Sequence, residues 1–197
     1  MNSDRSKVAE LPIQLFDQQK DWAAWLNKNH GKSPGIWLRL AKKNSDRGSV
    51  SYPEAVESAL CYGWIDGQKK SDDDNFWLQK FTPRSAKSIW SRINRDKALL
   101  LIESGRMMPS GLKEVERART DGRWDAAYDS ASKSTVPADF QAALDASPRA
   151  REFFVSLDSS NRYAVLFRIQ TAKKAETRAR RIQDYTSMLE RHEKFHP

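Results

Sequence analysis

The sequence predicts an α+β protein, in which a small, mainly antiparallel sheet covered by helices is followed by an all-α C-terminal part. Three observations carry that prediction. Strand-like apolar runs at Ile36–Ala41, Trp64–Lys70 and Phe76–Thr82 alternate with helical patterns early in the chain. Beyond Val136 only helical patterns remain. Between the two parts lies Asp129-Ser130-Ala131-Ser132-Lys133-Ser134-Thr135-Val136, small and polar as linkers are. The chain is therefore read as an α+β domain over 1–130, in helix-strand-helix-hairpin-helix order, and a helical domain over 131–197.

Each element has its own start and stop. After a polar opening, Asp17 caps a first helix that carries Trp22, Trp25 and Leu26 and ends at Asn29-His30-Gly31. Pro34 and Gly35 precede the strand Ile36–Ala41, which runs into the polar loop Lys42–Gly48. Ser51-Tyr52-Pro53-Glu54 is a capping box ahead of a helix through Ala55, Val56, Ala59 and Leu60, stopped by Gly63. Trp64–Lys70 and Phe76–Thr82 flank the polar turn Ser71–Asn75 as a β-hairpin, and Pro83 ends its second strand. A helix is expected from about Ser85, with Ile89, Ile93 and Leu100 on its inner face, Trp90 and Leu101 beside it, and Gly105 as its stop. Met108-Pro109 restarts a helix that reaches Asp121-Gly122. In the C-terminal part Pro137 starts one helix, Ser147-Pro148 a second and Ser159-Ser160-Asn161 a third, with Tyr163, Leu166 and Phe167 inward. The last places Ala175, Ala179, Ile182, Tyr185 and Leu189 on one stripe.

Composition narrows the function classes. Apolar residues at 39% and seven Trp suffice for a core, which argues against wholesale disorder. The 34 Lys and Arg exceed the 26 Asp and Glu by 8, a balance that favours anionic partners. No run approaches the ~18 apolar residues of a membrane span, and Met1–Lys7 lacks the apolar stretch of a secretory signal, so the expected location is cytoplasmic. Cys61 is the only cysteine, which excludes an intrachain disulfide and any multi-cysteine metal site. His30, His192 and His196 fall in no ligand spacing, and neither common phosphate-loop pattern is present, so no metal and no cofactor is expected.

Polar residues among aromatics are densest between Cys61 and Asn94. Asp66 follows Trp64 at the start of the hairpin and Arg84 follows its end, which brings the two toward one edge of the sheet if the strands pair evenly. An Arg beside an Asp holds it ionised, and the Arg fork matches a carboxylate or phosphate ligand. Ser88, Trp90 and Asn94 add a hydroxyl, a ring and an amide. Trp64, Asp66, Arg84, Ser88, Trp90 and Asn94 thus form a candidate pocket for a small anionic ligand or a protein partner. A structural ion pair among core indoles is the more common origin of such a cluster. Cys61, on an apolar helix face with no His near it in sequence, reads as a core residue rather than a nucleophile. Asp72-Asp73-Asp74 reads as a solvated turn, lacking the glycine and terminal glutamate of a calcium loop. On the last helix Lys173, Lys174, Arg178 and Arg181 lie off the apolar stripe and form a candidate basic docking surface.

The ordered motifs Tyr52-Pro53-Glu54-Ala55-Val56, Cys61-Tyr62-Gly63-Trp64-Ile65-Asp66-Gly67, Phe81-Thr82-Pro83-Arg84, Ser88-Ile89-Trp90-Ser91 and Met108-Pro109-Ser110-Gly111-Leu112 resemble the bacterial YdeI/OmpD-associated family. Ala172-Lys173-Lys174-Ala175-Glu176-Thr177-Arg178-Ala179-Arg180-Arg181-Ile182 is similar to the closing helix of that family's bacteriocin-protection, or OmdA, domain. The resemblance implies stress resistance, protection against bacteriocins or antimicrobial peptides, and association with an outer-membrane porin; it implies no catalytic residue. The favoured expectation is a non-enzymatic, protection-related binding protein. One alternative is a small-molecule hydrolase or transferase with Asp66 as base and Arg84 and Asn94 holding an anionic substrate. The other, not favoured, is nucleic-acid binding through the basic last helix, where no known binding signature accompanies the charge.

Overall fold

A parallel strand pair and an antiparallel hairpin merge into one four-stranded sheet. The computed structural model describes residues 10–197, so Met1–Lys7 and the reading placed on it lie outside the described residues. Chain order is β1 (Ile13–Leu15), α1 (Gln19–Asn29), β2 (Ile36–Ala41), α2 (Tyr52–Cys61), β3 (Trp64–Ser71), β4 (Phe76–Pro83), α3 (Arg92–Glu103), α4 (Pro109–Thr120), α5 (Ala138–Ala146), α6 (Pro148–Ser156), α7 (Ser159–Gln170) and α8 (Ala175–Glu190). The described residues split into two compact units, the first running up to Ile89 and resuming over Asp96–Trp124, the second made of Trp90–Arg95 and Asp125–Pro197. Among the described residues no helix is long and apolar enough to cross a membrane.

In the first unit the strand order is β1-β2-β4-β3. The expected hairpin is present as β3 and β4, and β2 pairs antiparallel with β4. The sheet is nevertheless mixed, because β1 runs parallel to β2, with Ile13 opposite Trp37. α1 supplies the crossover between them, as a parallel connection requires. Ile36, Leu38 and Leu40 alternate as the buried residues of β2. They share a face with Phe81, which packs on Trp22 of α1, and Trp22 in turn meets Trp64 of β3 edge-on.

The capping box of α2 forms as the sequence dictates: the Ser51 hydroxyl accepts from Glu54 N–H, and the Ser51 N–H donates to Glu54 Oε2 at 2.9 Å. These Ser51 contacts hold the Glu54 carboxyl below its ordinary range. A depressed carboxyl stabilises the fold above its unfolded pKa and loses that contribution as pH falls through the folded one. Ser51→Ala should therefore cost about 1 kcal/mol near neutral pH and less in acid, as read by urea denaturation at the two pH values.

Two helices differ from expectation. α1 begins one residue later, with Gln18 at its N-cap and no side-chain cap bond, instead of Asp17. Helix α3 begins at Arg92 rather than near Ser85, because the serines close a local turn: Ser88 Oγ accepts from Ser85 N–H at 3.0 Å and Ser85 Oγ from Lys87 N–H at 3.2 Å. Ile93 and Leu100 are accordingly exposed, while Ala98 and Leu101 are the buried residues of α3.

In the second unit, Phe140, Leu144, Phe154, Val165, Ile169 and Leu189 centre the core of α5 to α8. Ser147 and Asp158 cap α6 and α7 as N-cap acceptors. The stripe on α8 is buried only at its C-terminal end: Leu189 is in the core and Ile182 and Tyr185 pack against it, whereas Ala175 and Ala179 are exposed. The N-terminal half is tied down by Arg178 instead, whose guanidinium donates to both Asp139 carboxylate oxygens and to Ile169 O. Asp129, the first residue of the expected linker, is also anchored. Its carboxylate accepts from Gln170 and its carbonyl from the Tyr163 hydroxyl.

Candidate functional site

The register decides what each face of the sheet presents, since directly paired residues point the same way. Ile13, Leu15, Trp37, Arg39, Leu78 and Lys80 therefore share the face opposite Ile36, Leu38 and Leu40. Lys70 joins them through a β-bulge. Between Asp66, opposite Phe81, and Lys69, opposite Gln79, β3 has two residues where β4 has one. The extra residue inverts the alternation, so Lys70 stands opposite Leu78 and reaches the outer face. Buried Gln79 satisfies the carbonyls that the bulge frees, its amide donating to Gly67 O at 2.8 Å and Gln68 O at 3.3 Å.

On this outer face Trp37 is the central aromatic. Lys70 Nζ lies 4.5 Å and Lys80 Nζ 6.0 Å from the Trp37 ring centroid, a cation–π arrangement with two ammonium groups on one indole. Ile13 and Leu15 beside it are 52% and 42% exposed. At the hairpin tip Arg39 covers the Phe76 ring and pairs with Asp72 and Asp73, so the acidic turn serves as a clamp. Asp73 also accepts from the backbone N–H groups of Asn75 and Phe76. Among the described residues neither Lys70 nor Lys80 pairs with a carboxylate.

The six pocket candidates occupy other places. Trp64 is 1% exposed and donates its indole N–H to His30 O. Arg84 is 5% exposed, and its guanidinium donates to Ile89 O. Its backbone N–H donates to Gly63 O, which sets Arg84 level with Gly63, three residues from Asp66 and about 10 Å along the strand. Asp66 accepts from the Tyr52 hydroxyl at 2.7 Å on the helix-covered side, where Tyr52 also packs on Trp77. Ser88 Oγ is engaged by the Ser85 turn. Trp90, 2% exposed, and Asn94 belong to the other unit, where the Asn94 N–H donates to Ser91 Oγ. Of the four basic candidates expected on the last helix, Arg178 and Arg181 lie on α8, where Arg178 holds Asp139 and Arg181 donates to Arg168 O, while Lys173 and Lys174 precede the helix and are exposed.

Trp37, Lys70 and Lys80 were not among the residues singled out from the sequence. The odd-even split of Ile36–Ala41 signals Trp37, but the bulge that turns Lys70 toward it has no sequence signature beyond Gly67.

Cys61 is buried, and burial pushes its thiol above the ordinary range although Arg106 opposes the shift. A raised pKa leaves less thiolate at any given pH. Alkylation of Cys61 in the native protein should run more than about tenfold slower than in urea, where the thiol is freed; equal rates would contradict this placement.

Two family models match the chain. Residues 133–192 match the family described as Bacteriocin-protection, YdeI or OmpD-Associated, as the C-terminal motifs imply. Residues 14–114 match the family described as Domain of unknown function (DUF8412). Neither a curated protein nor a solved structure matches the chain. The chain thus belongs to the DUF8412 family, whose match spans just over half its length and takes in all of the sheet but Ile13, and the match to the YdeI/OmpD-associated family follows it.

Proposed function

We propose that this chain is a non-enzymatic binding protein that serves in protection against bacteriocins, and that the outer face of its sheet is the binding surface. The observation that carries this reading is the grouping on that face of exposed Ile13 and Leu15 with Trp37, Lys70 and Lys80. An aromatic with exposed apolar neighbours is the composition of a recognition surface, and the lysines beside it suit an anionic partner. The groups that would serve chemistry support the same reading, since Cys61 is buried and Arg84 points inward. The description of the YdeI/OmpD-associated domain supports the protective role. The cytoplasmic location belongs to the proposal, and cell fractionation checks it. The test of function is survival of a deletion strain challenged with bacteriocins. Complementation by the wild-type chain, and not by Lys70→Gln/Lys80→Gln, is the expected result. Equal survival with and without the gene, or full rescue by the variant, overturns the proposal.

A second reading rests on the Tyr52–Asp66 contact beside Trp77. There Asp66 is the general base of a hydrolase or transferase, with Tyr52 orienting it. Turnover of a screened ester or amide library that Asp66→Asn abolishes would establish it, and turnover that Asp66→Asn leaves unchanged would remove it.

A further inference from the structure

We propose that the outer face of the sheet binds single-stranded nucleic acid, with Trp37 as the platform on which a base stacks and Lys70 and Lys80 meeting the adjoining phosphates. This inference rests on the reading of that face as the binding surface and names its ligand class. Its basis is a pairing of ring and charge. Trp37 stands in β2, and the strand order puts β4 between it and the β3 residue Lys70, yet the Lys70 ammonium comes to 4.5 Å from the indole centroid. The ring and the lysine stem therefore converge above the intervening strand, which accounts for Leu78 of β4 being buried on this face. A second ammonium, that of Lys80, faces the same ring. Two like charges gathered at one indole repel each other, and a polyanion's phosphates relieve that repulsion while a base takes the ring face.

The strand must be single, because in a duplex the base faces are already stacked on one another and cannot reach an indole. The carboxylates Asp72 and Asp73 stand at one end of the face, where Arg39 pairs with both and offsets one of their two charges. The chain's excess of 8 positive charges favours the encounter. This surface belongs to the first unit and the basic helix α8 to the second, where Arg178 and Arg181 are committed to Asp139 and Arg168.

The test is fluorescence anisotropy of labelled oligothymidylate and oligouridylate with the full chain, in salt from about 50 to about 200 mM. Binding should weaken with salt. Trp37→Leu should lower affinity about tenfold, the scale of one lost base-stacking contact. Lys70→Gln/Lys80→Gln should lower it and reduce the salt slope by roughly 1.4, two phosphates on a single strand. Lys173→Gln/Lys174→Gln should leave both unchanged. Far-UV circular dichroism confirms that each variant is folded, and if Trp37→Leu is not, the lysine pair decides. Absence of binding overturns the proposal, as does duplex DNA competing as well as single strands. Loss through Lys173→Gln/Lys174→Gln alone overturns it too, as does binding of phosphatidylglycerol vesicles in place of oligonucleotides. The bacteriocin survival assay does not depend on any of these readouts, so the two proposals can fail separately.

Discussion

Trp22→Ala should remove about 3–5 kcal/mol of stability, the usual cost of truncating a large core aromatic. Trp22 is fully buried, and four rings surround it: Phe16 at 5.5 Å, Trp25 stacked at 5.4 Å, Phe81 at 5.6 Å and Trp64 at 6.4 Å between centroids. These rings come from the loop after β1, from α1, and from β3 and β4, so the indole is where helix and sheet are joined. Its N–H donates to Ala55 O at 3.1 Å, which ties α1 to the first turn of α2 as well. Truncation leaves a cavity that the flanking rings cannot fill without leaving their rotamers. Against a total of about 5–15 kcal/mol for a domain, a loss of this size lowers the urea midpoint of the sheet unit by about a fifth or more of its wild-type value. Trp22→Phe isolates the hydrogen bond: it keeps a ring among its neighbours and should cost about 1–2 kcal/mol. A Trp22→Ala midpoint within experimental error of wild type would show that the aromatic cluster does not organise the unit.

Much of this arrangement was legible in the sequence, and the division follows the range of the interactions. Most local signals were read correctly, the Asp17 cap excepted, since Gln18 takes that position. The capping box needs only Ser51 and Glu54, the α2 stop only Gly63, and the hairpin only two apolar runs around Ser71–Asn75. The α+β class followed from those elements. Features fixed by a distant partner were not readable. β1 is three residues long and is a strand because β2 lies alongside it, not because of anything in Ile13–Leu15. The helical period that runs back to Ile89 is genuine, but it competes with serine hydroxyls that satisfy the backbone around Ser85–Ser88, and the turn prevails. At the site the same distinction holds. Asp66 and Arg84 bracket the hairpin in sequence, whereas the register and the Tyr52 hydroxyl determine where Asp66 sits. The outer face was further from reach, because a bulge capped by Gln79, thirteen residues after Asp66, sets the side on which Lys70 emerges.

Gly111→Ala should cost about 3 kcal/mol, at the upper end of what one added methyl does in a packed interior. In an ordinary helix the change would gain about 1 kcal/mol of propensity, so the sign of the effect is itself diagnostic. Gly111 lies in the first turn of α4, where that helix crosses the end of α2. A Cβ there would press into Cys61 O and Met107 Sδ more closely than real side chains allow, and would come to 2.8 Å from Leu60 O. Neither backbone oxygen is free to move. Cys61 O accepts from Met108 N–H at 3.1 Å and Leu60 O from Gly63 N–H at 3.1 Å, bonds that satisfy the orphan carbonyls at the end of α2. The crossing is tight from the other side as well: Gly63 holds φ +76°, and a Cβ on it would meet Ser110 O at 2.9 Å. Relief therefore requires the two helices to separate, which loosens the packing around Val115 and Ala118 along the rest of α4. Gly111→Ala and Gly63→Ala act on one contact, so their combined cost should fall well short of the sum, the non-additivity expected of neighbours. Thermal unfolding of the two single variants and the double variant measures this. A Gly111→Ala protein as stable as wild type would mean that α4 does not approach α2 closely enough to exclude a methyl group.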